Sequence, residues 1–256
     1  MVFDEYSEYY DLLYQDKDYE AECVYLGSIL DEHYPTAIKI LEFGSGSGIH
    51  GRIFAEMGYL VSGIERSKKM IQLGELSPTR SYNDKSYGSF SCTQGDCLNE
   101  FLGNDFDVSI ALFHVLSYQT RDEQVLAMLS NAHRQLISGG LFILDYWYSP
   151  AVWSIGPSLR VKKVQNRNLS IIRIAEPESH TAKNLVKVHY QTFVENLRKN
   201  EISKIEETHE MRAFDLNEIE FFSKQTGFSL IHSEEWMSGN KPSNETWGVC
   251  SVLKKV

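Results

Sequence analysis

The pattern of apolar and polar positions changes character near residue 150. From residue 36 to about 146, short apolar runs alternate with stretches of helical period. Strands are predicted at 38–43, 59–64, 87–93, 106–112 and 140–146, and helices at about 49–57, 67–76 and 122–137. That alternation predicts a doubly wound parallel sheet with right-handed crossovers. Ser138-Gly139-Gly140 is read as the end of the last helix, since glycine commonly follows a helix. Beyond it, β-rich runs at Ser158–Val164, Leu169–Ala175, Leu185–Val194 and Ile202–Phe214 are separated by turn-prone Asn-Arg-Asn, Pro-Glu-Ser and Arg-Lys-Asn. They predict an antiparallel sheet inserted after the fifth core strand. A helix over 215–226, N-capped by Asp215 and stopped near Gly227, precedes two last strands at 228–236 and 246–254. Two helical stretches, about 4–14 and 19–33, precede the core; the first carries Tyr6, Tyr9, Tyr10 and Tyr14 and is read as a lid packing aromatic rings on the core.

The first core strand carries the chemistry. Ile38-Lys-Ile-Leu-Glu-Phe runs into Glu42-x-Gly44-x-Gly46-x-Gly48, where glycines at spacing two let the backbone turn sharply and approach a ligand that a Cβ would block. A helix N-terminus facing that turn makes it a nucleotide or nucleoside site. Gly46-Ser-Gly48-Ile-His-Gly51 also satisfies the dinucleotide fingerprint, with Glu65 about 20 residues on as a ribose acid. The glycine directly after the strand is Gly44, however, and counting from it puts Ile49 where that fingerprint wants its third glycine. No Gly-Lys-Ser/Thr follows, which excludes a P-loop.

Glu42-x-Gly-x-Gly-x-Gly resembles the signature of class I S-adenosylmethionine (SAM) methyltransferases. The resemblance implies a Rossmann-like α/β fold: a doubly wound seven-stranded sheet with the antiparallel insertion and the N-terminal lid. It divides the chain into lid 1–35, core 36–150, insertion 151–214, and C-terminal helix with the last two core strands 215–256. SAM is the implied cofactor. Its implied contacts are Tyr14 in the lid, Glu42, Gly44, Ser45, Gly46 and Gly48 in the first turn, Glu65 for the ribose hydroxyls with Arg66 and Met70 following, Gly95, Asp96 and Cys97 at the adenine, and Leu112, Phe113 and His114 along the methionine tail. Asp107 is read as structural, and His114 is equally compatible with a hydrogen-bonded buried histidine. No Asn/Asp-Pro-Pro-Tyr/Phe follows the fourth strand, so the device for methylating planar amino groups is absent.

A narrower similarity spans nearly the whole chain. Tyr10-Asp-Leu-Leu-Tyr14, Asp145-Tyr-Trp-Tyr-Ser-Pro150, Val188-His-Tyr190 and Glu207-Thr-His209-Glu-Met-Arg212-Ala-Phe214 look like bacterial N,N-dimethyltransferases of nucleotide-linked amino sugars. The resemblance places Tyr14 at the cofactor and Tyr118 beside the acceptor amine, both as catalytic candidates; the inserted sheet adds His209 as a third and offers His189, Glu207 and Arg212 to roof the acceptor site, and Trp147 and Trp153 are read as walls of its pocket or as packing residues. Where the sugar enzymes offer an arginine toward the diphosphate, this chain reads Asn240-Lys-Pro-Ser, so Lys241 stands in as a point charge. Oxygen methylation with His209 or His114 as base, a SAM-binding module without catalysis, and an NAD-dependent oxidoreductase are the competing readings.

Charge and composition narrow the partners to a small molecule. Among 256 residues, 25 basic against 35 acidic side chains give a net charge of −10, with no footprint for a phosphate backbone, so nucleic acid is not expected. The four cysteines form no C-x-x-C pair, so neither zinc nor a disulfide framework is suggested. The start, Met-Val-Phe-Asp-Glu-Tyr, is acidic where a signal peptide is basic, and no apolar run has membrane-spanning length. A cytoplasmic enzyme without metal or membrane contact is expected; a homodimer is compatible with the sequence.

Overall fold

The computed structural model describes residues 9–76 and 88–256. Two sheets organise them. The larger takes β1 (Lys39–Phe43), β2 (Leu60–Glu65), β3 (Ser89–Gln94), β4 (Phe106–Ala111), β5 (Leu136–Trp147), β10 (Phe228–Glu235) and β11 (Gly248–Lys255) in the order β10-β11-β5-β4-β1-β2-β3. Strands β1 to β5 pair in parallel, while β11 runs antiparallel to both β5 and β10. The smaller sheet is a meander of β6 (Arg160–Gln165), β7 (Leu169–His180), β8 (Leu185–Asn196) and β9 (Glu201–Arg212).

Alternation along the central strands gives the large sheet two apolar faces. Leu41, Phe43, Phe142 and Leu144 pack with α5 (Asp122–Gln135) and α7 (Leu216–Gln225) through Val125, Met128, Leu129, Ile219 and Phe222. On the other face, Ile40, Ile110, Leu141 and Ile143 meet α2 (Tyr19–His33) and α3 (Ile49–Glu56) through Cys23, Leu26, Leu30 and Phe54. Each such fully buried large side chain contributes about 1.5–3 kcal/mol. The helices begin where their chemistry dictates. Asp18 caps α2 by accepting from Ala21 N at 2.9 Å, and Asp215 and Glu218 form a reciprocal capping box on α7.

One expectation is corrected, one element was not anticipated, and one is seen in part. The helix predicted over 122–137 stops at Gln135, and Ser138-Gly139-Gly140 lies inside β5. Leu136 is already extended and pairs with Phe106, while Lys255 Nζ donates to the carbonyls of His133 and Leu136 at 2.7 Å each and so satisfies the helix end. Gly139, with φ +77°, carries the irregularity in β5 instead of a helix cap. Residues 149–155, for which no element is predicted, form helix α6 (Ser149–Ile155) with Pro150 in its first turn, the position where proline costs least. Of the predicted helix 4–14, the single turn α1 (Tyr10–Leu13) is seen; residues 4–8, Tyr6 among them, lie outside the described residues, as does residue 87 of the predicted third strand.

The small sheet docks by backbone as well as side chains. Phe214 N donates to Trp147 O and Ser149 N to Phe214 O, both at 2.9 Å, joining the exit of β9 to the exit of β5. Leu13 of α1 packs on Ile171, Val194 and Ile205 at one end of the meander, and Val152 of α6 packs on Ala175, Val186 and Val188 at the other.

Candidate active site

Strand order reverses between β1 and β4, and a cavity of about 840 Å³ opens at their carboxyl ends, where open α/β sheets place ligands. Gly44, Gly46 and Gly48 all have positive φ (66°, 57° and 75°). At Gly44 a Cβ would lie 2.7 Å from Val115 and at Gly48 2.5 Å from Phe90, so side chains are excluded there by strain and by space. Gly44 and Gly46 line the cavity.

At the end of β2, Glu65 accepts from Gly46 N at 2.9 Å and from Ser67 N at 2.7 Å, and burial pushes its carboxyl above the usual range. Arg66, Ser67 and Met70, the last in α4 (Lys68–Leu76), continue the wall, and Gly95, Asp96, Cys97 and Leu98 line the cavity from the exit of β3. Asp96 is fixed by accepting from Leu98 N at 3.0 Å, and burial pushes the Cys97 thiol up to about 12, so that it stays a neutral apolar contact. One half of the cavity is thus a narrow slot with a carboxylate on either side and apolar walls of Ile64, Met70, Cys97 and Leu98.

At the exit of β4, Phe113 and His114 both have positive φ (62° and 65°). Asp145, buried in β5, accepts from His114 N at 3.1 and 3.2 Å and stands 2.7 Å from His114 Nδ1. The single helical turn Leu116–Tyr118 then carries Tyr118 into the cavity. Tyr118 Oη is 2.9 Å from His209 Nδ1, and His209 Nε2 is 3.1 Å from Glu207 Oε2. His209 is only 3% exposed, and the Tyr190 ring packs edge-on against it at 4.8 Å between centroids. Tyr14 meets Phe113 edge-on at 5.1 Å and accepts from Arg173 Nη1 at 3.0 Å, with the guanidinium over the Tyr14 and Tyr190 rings.

Of the sequence-derived candidates, Tyr14, Gly44, Gly46, Glu65, Arg66, Met70, Gly95, Asp96, Cys97, Leu112, Phe113, His114, Tyr118, Trp147 and His209 meet at this one cavity. Six do not line it. Glu42 lies behind the glycine turn, 3.9 Å from His50 Nδ1, where burial and the neighbouring Glu65 charge push its carboxyl up to about 8. Ser45 turns toward Cys92, 3.2 Å away, and Gly48 abuts Phe90. Trp153 packs in the α6 cluster and donates to Asn184 Oδ1 at 3.2 Å. His189 is on the face of β8 opposite to Val188 and Tyr190, bonded to Thr208 at 3.0 Å. Arg212 is spent on Asp122 at 2.6 Å and Glu218 at 2.9 Å, locking β9 to α5 and α7. Asp107 is structural, as expected: it accepts from Ile38 N and Lys39 N at 2.8 Å each.

Arg160, Arg173, Tyr190, Trp247 and Gln124 also line the cavity and were not anticipated. The inward row of β7, where Arg173 alternates with Ile171, Ala175 and Pro177, is the signal that was available for Arg173. Among the described residues no cluster of metal-ligating side chains occurs, and no helix is long and apolar enough to cross a membrane.

The residues present fit a nucleoside cofactor such as SAM: the glycines admit close backbone approach, Glu65 ends β2 beside them, and Asp96 lines the same cavity with the apolar Cys97 and Leu98. Comparison with known proteins agrees. Residues 40–140 match the family described as a methyltransferase domain. Over 237 residues the chain is 23% identical to the dTDP-3-amino-3,6-dideoxy-alpha-D-glucopyranose N,N-dimethyltransferase of Streptomyces fradiae, covering 92% of this chain and 86% of that one. DesVI of Streptomyces venezuelae superposes with a TM-score of 0.78 at 19% identity, covering 97% and 98% of the two chains. An amino pentose methyltransferase from Micromonospora echinaspora, solved with SAM bound, gives 0.75 at 18% identity over 100% and 98%. Residues 40–140 therefore carry a methyltransferase domain, in a fold that the whole chain shares with SAM-dependent methyltransferases.

Proposed function

We propose that the protein methylates the amine of an amino sugar carried on a nucleotide. The observation that carries this reading is that one cavity of about 840 Å³ is lined both by the residues around the glycine turn and by the small sheet, through Arg173, Tyr190 and His209, with Tyr118 lining it as well. In this reading Gly44, Gly46, Glu65, Arg66, Met70, Gly95, Asp96, Cys97, Leu112, Phe113 and His114 hold SAM, which supplies an electrophilic methyl on a sulfonium. Tyr14, with Tyr10 beside it at 4.7 Å, closes the slot as part of the lid. Trp147, Trp247 and Tyr190 give the acceptor flat apolar walls of the kind sugars pack against.

Methyl transfer to nitrogen asks little of the protein beyond placement and the exclusion of water. A neutral amine needs one acceptor to orient an N–H while its lone pair faces the methyl, and the Tyr118 oxygen is that acceptor. Oxygen methylation asks for a base at the hydroxyl. His209 Nδ1 is reached only through Tyr118, and His114 Nδ1 lies 2.7 Å from Asp145, so neither ring offers these nitrogens to an acceptor hydroxyl directly, which supports the amine reading. The names of the relatives, an amino-sugar N,N-dimethyltransferase among them, support it as well.

The test is a mass-spectrometric screen with SAM. A gain of one or two methyl groups on nucleotide-linked amino sugars is expected; methylation of hydroxylated compounds alone would sink the amine reading.

A further inference from the structure

Three side chains from two distant parts of the chain form a hydrogen-bonded line leading away from the reacting position: Tyr118 after β4, then His209 and Glu207 of β9. Residues two apart on a strand share a face, so His209 and Glu207 point the same way by construction. A carboxylate can only accept. Beside Glu207, His209 Nε2 therefore carries the proton, Nδ1 is left as an acceptor, and the Tyr118 O–H must donate to it. The Tyr118 oxygen, which lines the cavity, is then an acceptor on that side. Without Glu207 the imidazole could take the other tautomer, and Tyr118 would accept from it and turn its own proton toward the amine, competing for the lone pair that attacks the methyl.

We infer that Glu207 is a positioning residue for the methyl transfer, and that Tyr118–His209–Glu207 is the route by which the acceptor's proton leaves. The inference rests on the amine reading above. In the step, the amine lone pair forms the new C–N bond, the C–S bond breaks with its electron pair staying on sulfur, and the product is an alkylammonium. That ammonium gives its proton to the Tyr118 oxygen as Tyr118 passes its own to Nδ1, leaving an imidazolium against the Glu207 carboxylate. The proton returns through Tyr118 to water when the thioether product leaves. Nothing else is consumed, and the amine is neutral again for a second methyl. Burial of His209 keeps water from short-circuiting the line, and the edge-on Tyr190 ring fixes the imidazole plane.

The test uses the full chain and Glu207→Gln, which keeps the shape and an accepting oxygen and removes the charge. With a methylated amino-sugar acceptor from the screen, kcat is expected to fall about tenfold while KM for SAM stays the same, and the solvent deuterium isotope effect on kcat to rise as proton removal becomes limiting. A residue that only braces the strand would lower stability and leave kcat and the isotope effect unchanged, and that result overturns the inference. A nitrogen-resolved NMR spectrum of His209 in the unaltered protein decides the same point without a variant or a substrate. The Nε2–H tautomer is expected, and the Nδ1–H tautomer overturns the relay. If no amine is methylated in the screen, the amine reading fails with it, whereas an amine methylated by a protein with the wrong tautomer removes the relay and keeps the reading.

Discussion

Glu42 offers a prediction whose size follows from its surroundings. It is 2% exposed, its Oε2 has no hydrogen-bond partner, and burial followed by the Glu65 charge holds its carboxyl protonated up to about 8, against an ordinary 4.5. The sign follows from linkage. Between 4.5 and 8 the unfolded chain has released this proton and the folded chain has not, so stability is fully present below the lower value and is lost as pH rises to the upper one. Each pH unit in that window costs at most about 1.4 kcal/mol, and relaxation around the site lowers the total. From pH 5 to pH 8 the loss is about 2–4 kcal/mol. Glu42→Gln has no proton to hold and removes this component. Urea denaturation of both proteins at the two pH values measures it, and taking the difference cancels shared contributions, including that of His50, which burial keeps below its ordinary range. A gap between the two proteins that changes by less than about 1 kcal/mol across the window would refute the assignment of a neutral buried carboxyl.

Glu65→Gln should weaken S-adenosylhomocysteine binding about 10–100-fold, the worth of hydrogen bonds to a charged group; calorimetry showing no change would remove Glu65 from the cofactor contacts. Gly48→Ala should lose about 2–4 kcal/mol of stability, from left-handed backbone strain together with the clash against Phe90, and chemical denaturation checks it. Arg212→Gln should lower stability by about 1–3 kcal/mol while leaving KM for the acceptor unchanged, since its partners are Asp122 and Glu218. His189→Ala should change neither kcat nor stability measurably, and a large loss of activity would show that the exposed face of β8 takes part.

The core was legible because its signals are local. A glycine turn after an apolar strand, an acid at the next strand end and a Gly-Asp pair after the third each announce themselves within a few residues, and Gly44, Glu65 and Asp96 meet in one slot. The acceptor side was harder because a residue's role there depends on which face of β6 to β9 turns inward, and on what lies across it. His189 and His209 look alike as alternating strand residues. One bonds Thr208 on the outer face and the other reaches Tyr118, 91 positions away in sequence. Arg212 and Trp153 carry the composition of a sugar site, yet Arg212 holds β9 to two helices and Trp153 sits in the α6 cluster. Helix α5 ended early because Lys255, at the far end of the chain, satisfies its last carbonyls, which no local pattern reveals.

The turn after β4 is where the two halves of the site become one object. Two consecutive residues other than glycine at positive φ, Phe113 and His114, cost of order 1–3 kcal/mol each and persist only when the surroundings impose them. Asp145 does so, through contacts to both the backbone N–H and the ring of His114. The distorted turn sets Val115 over Gly44, so closely that a Cβ on Gly44 would overlap it, and it presents Phe113 to Tyr14 and His114 to Trp147. Extended backbone at 113 and 114 would turn these rings elsewhere and carry Tyr118 away from His209. The strain thus places the glycine turn, Tyr14 and Trp147 in register through three successive residues, Phe113, His114 and Val115. This explains why Asp145, buried at 1% exposure in the middle of a sheet, is an aspartate at all: its carboxyl accepts from the turn it braces.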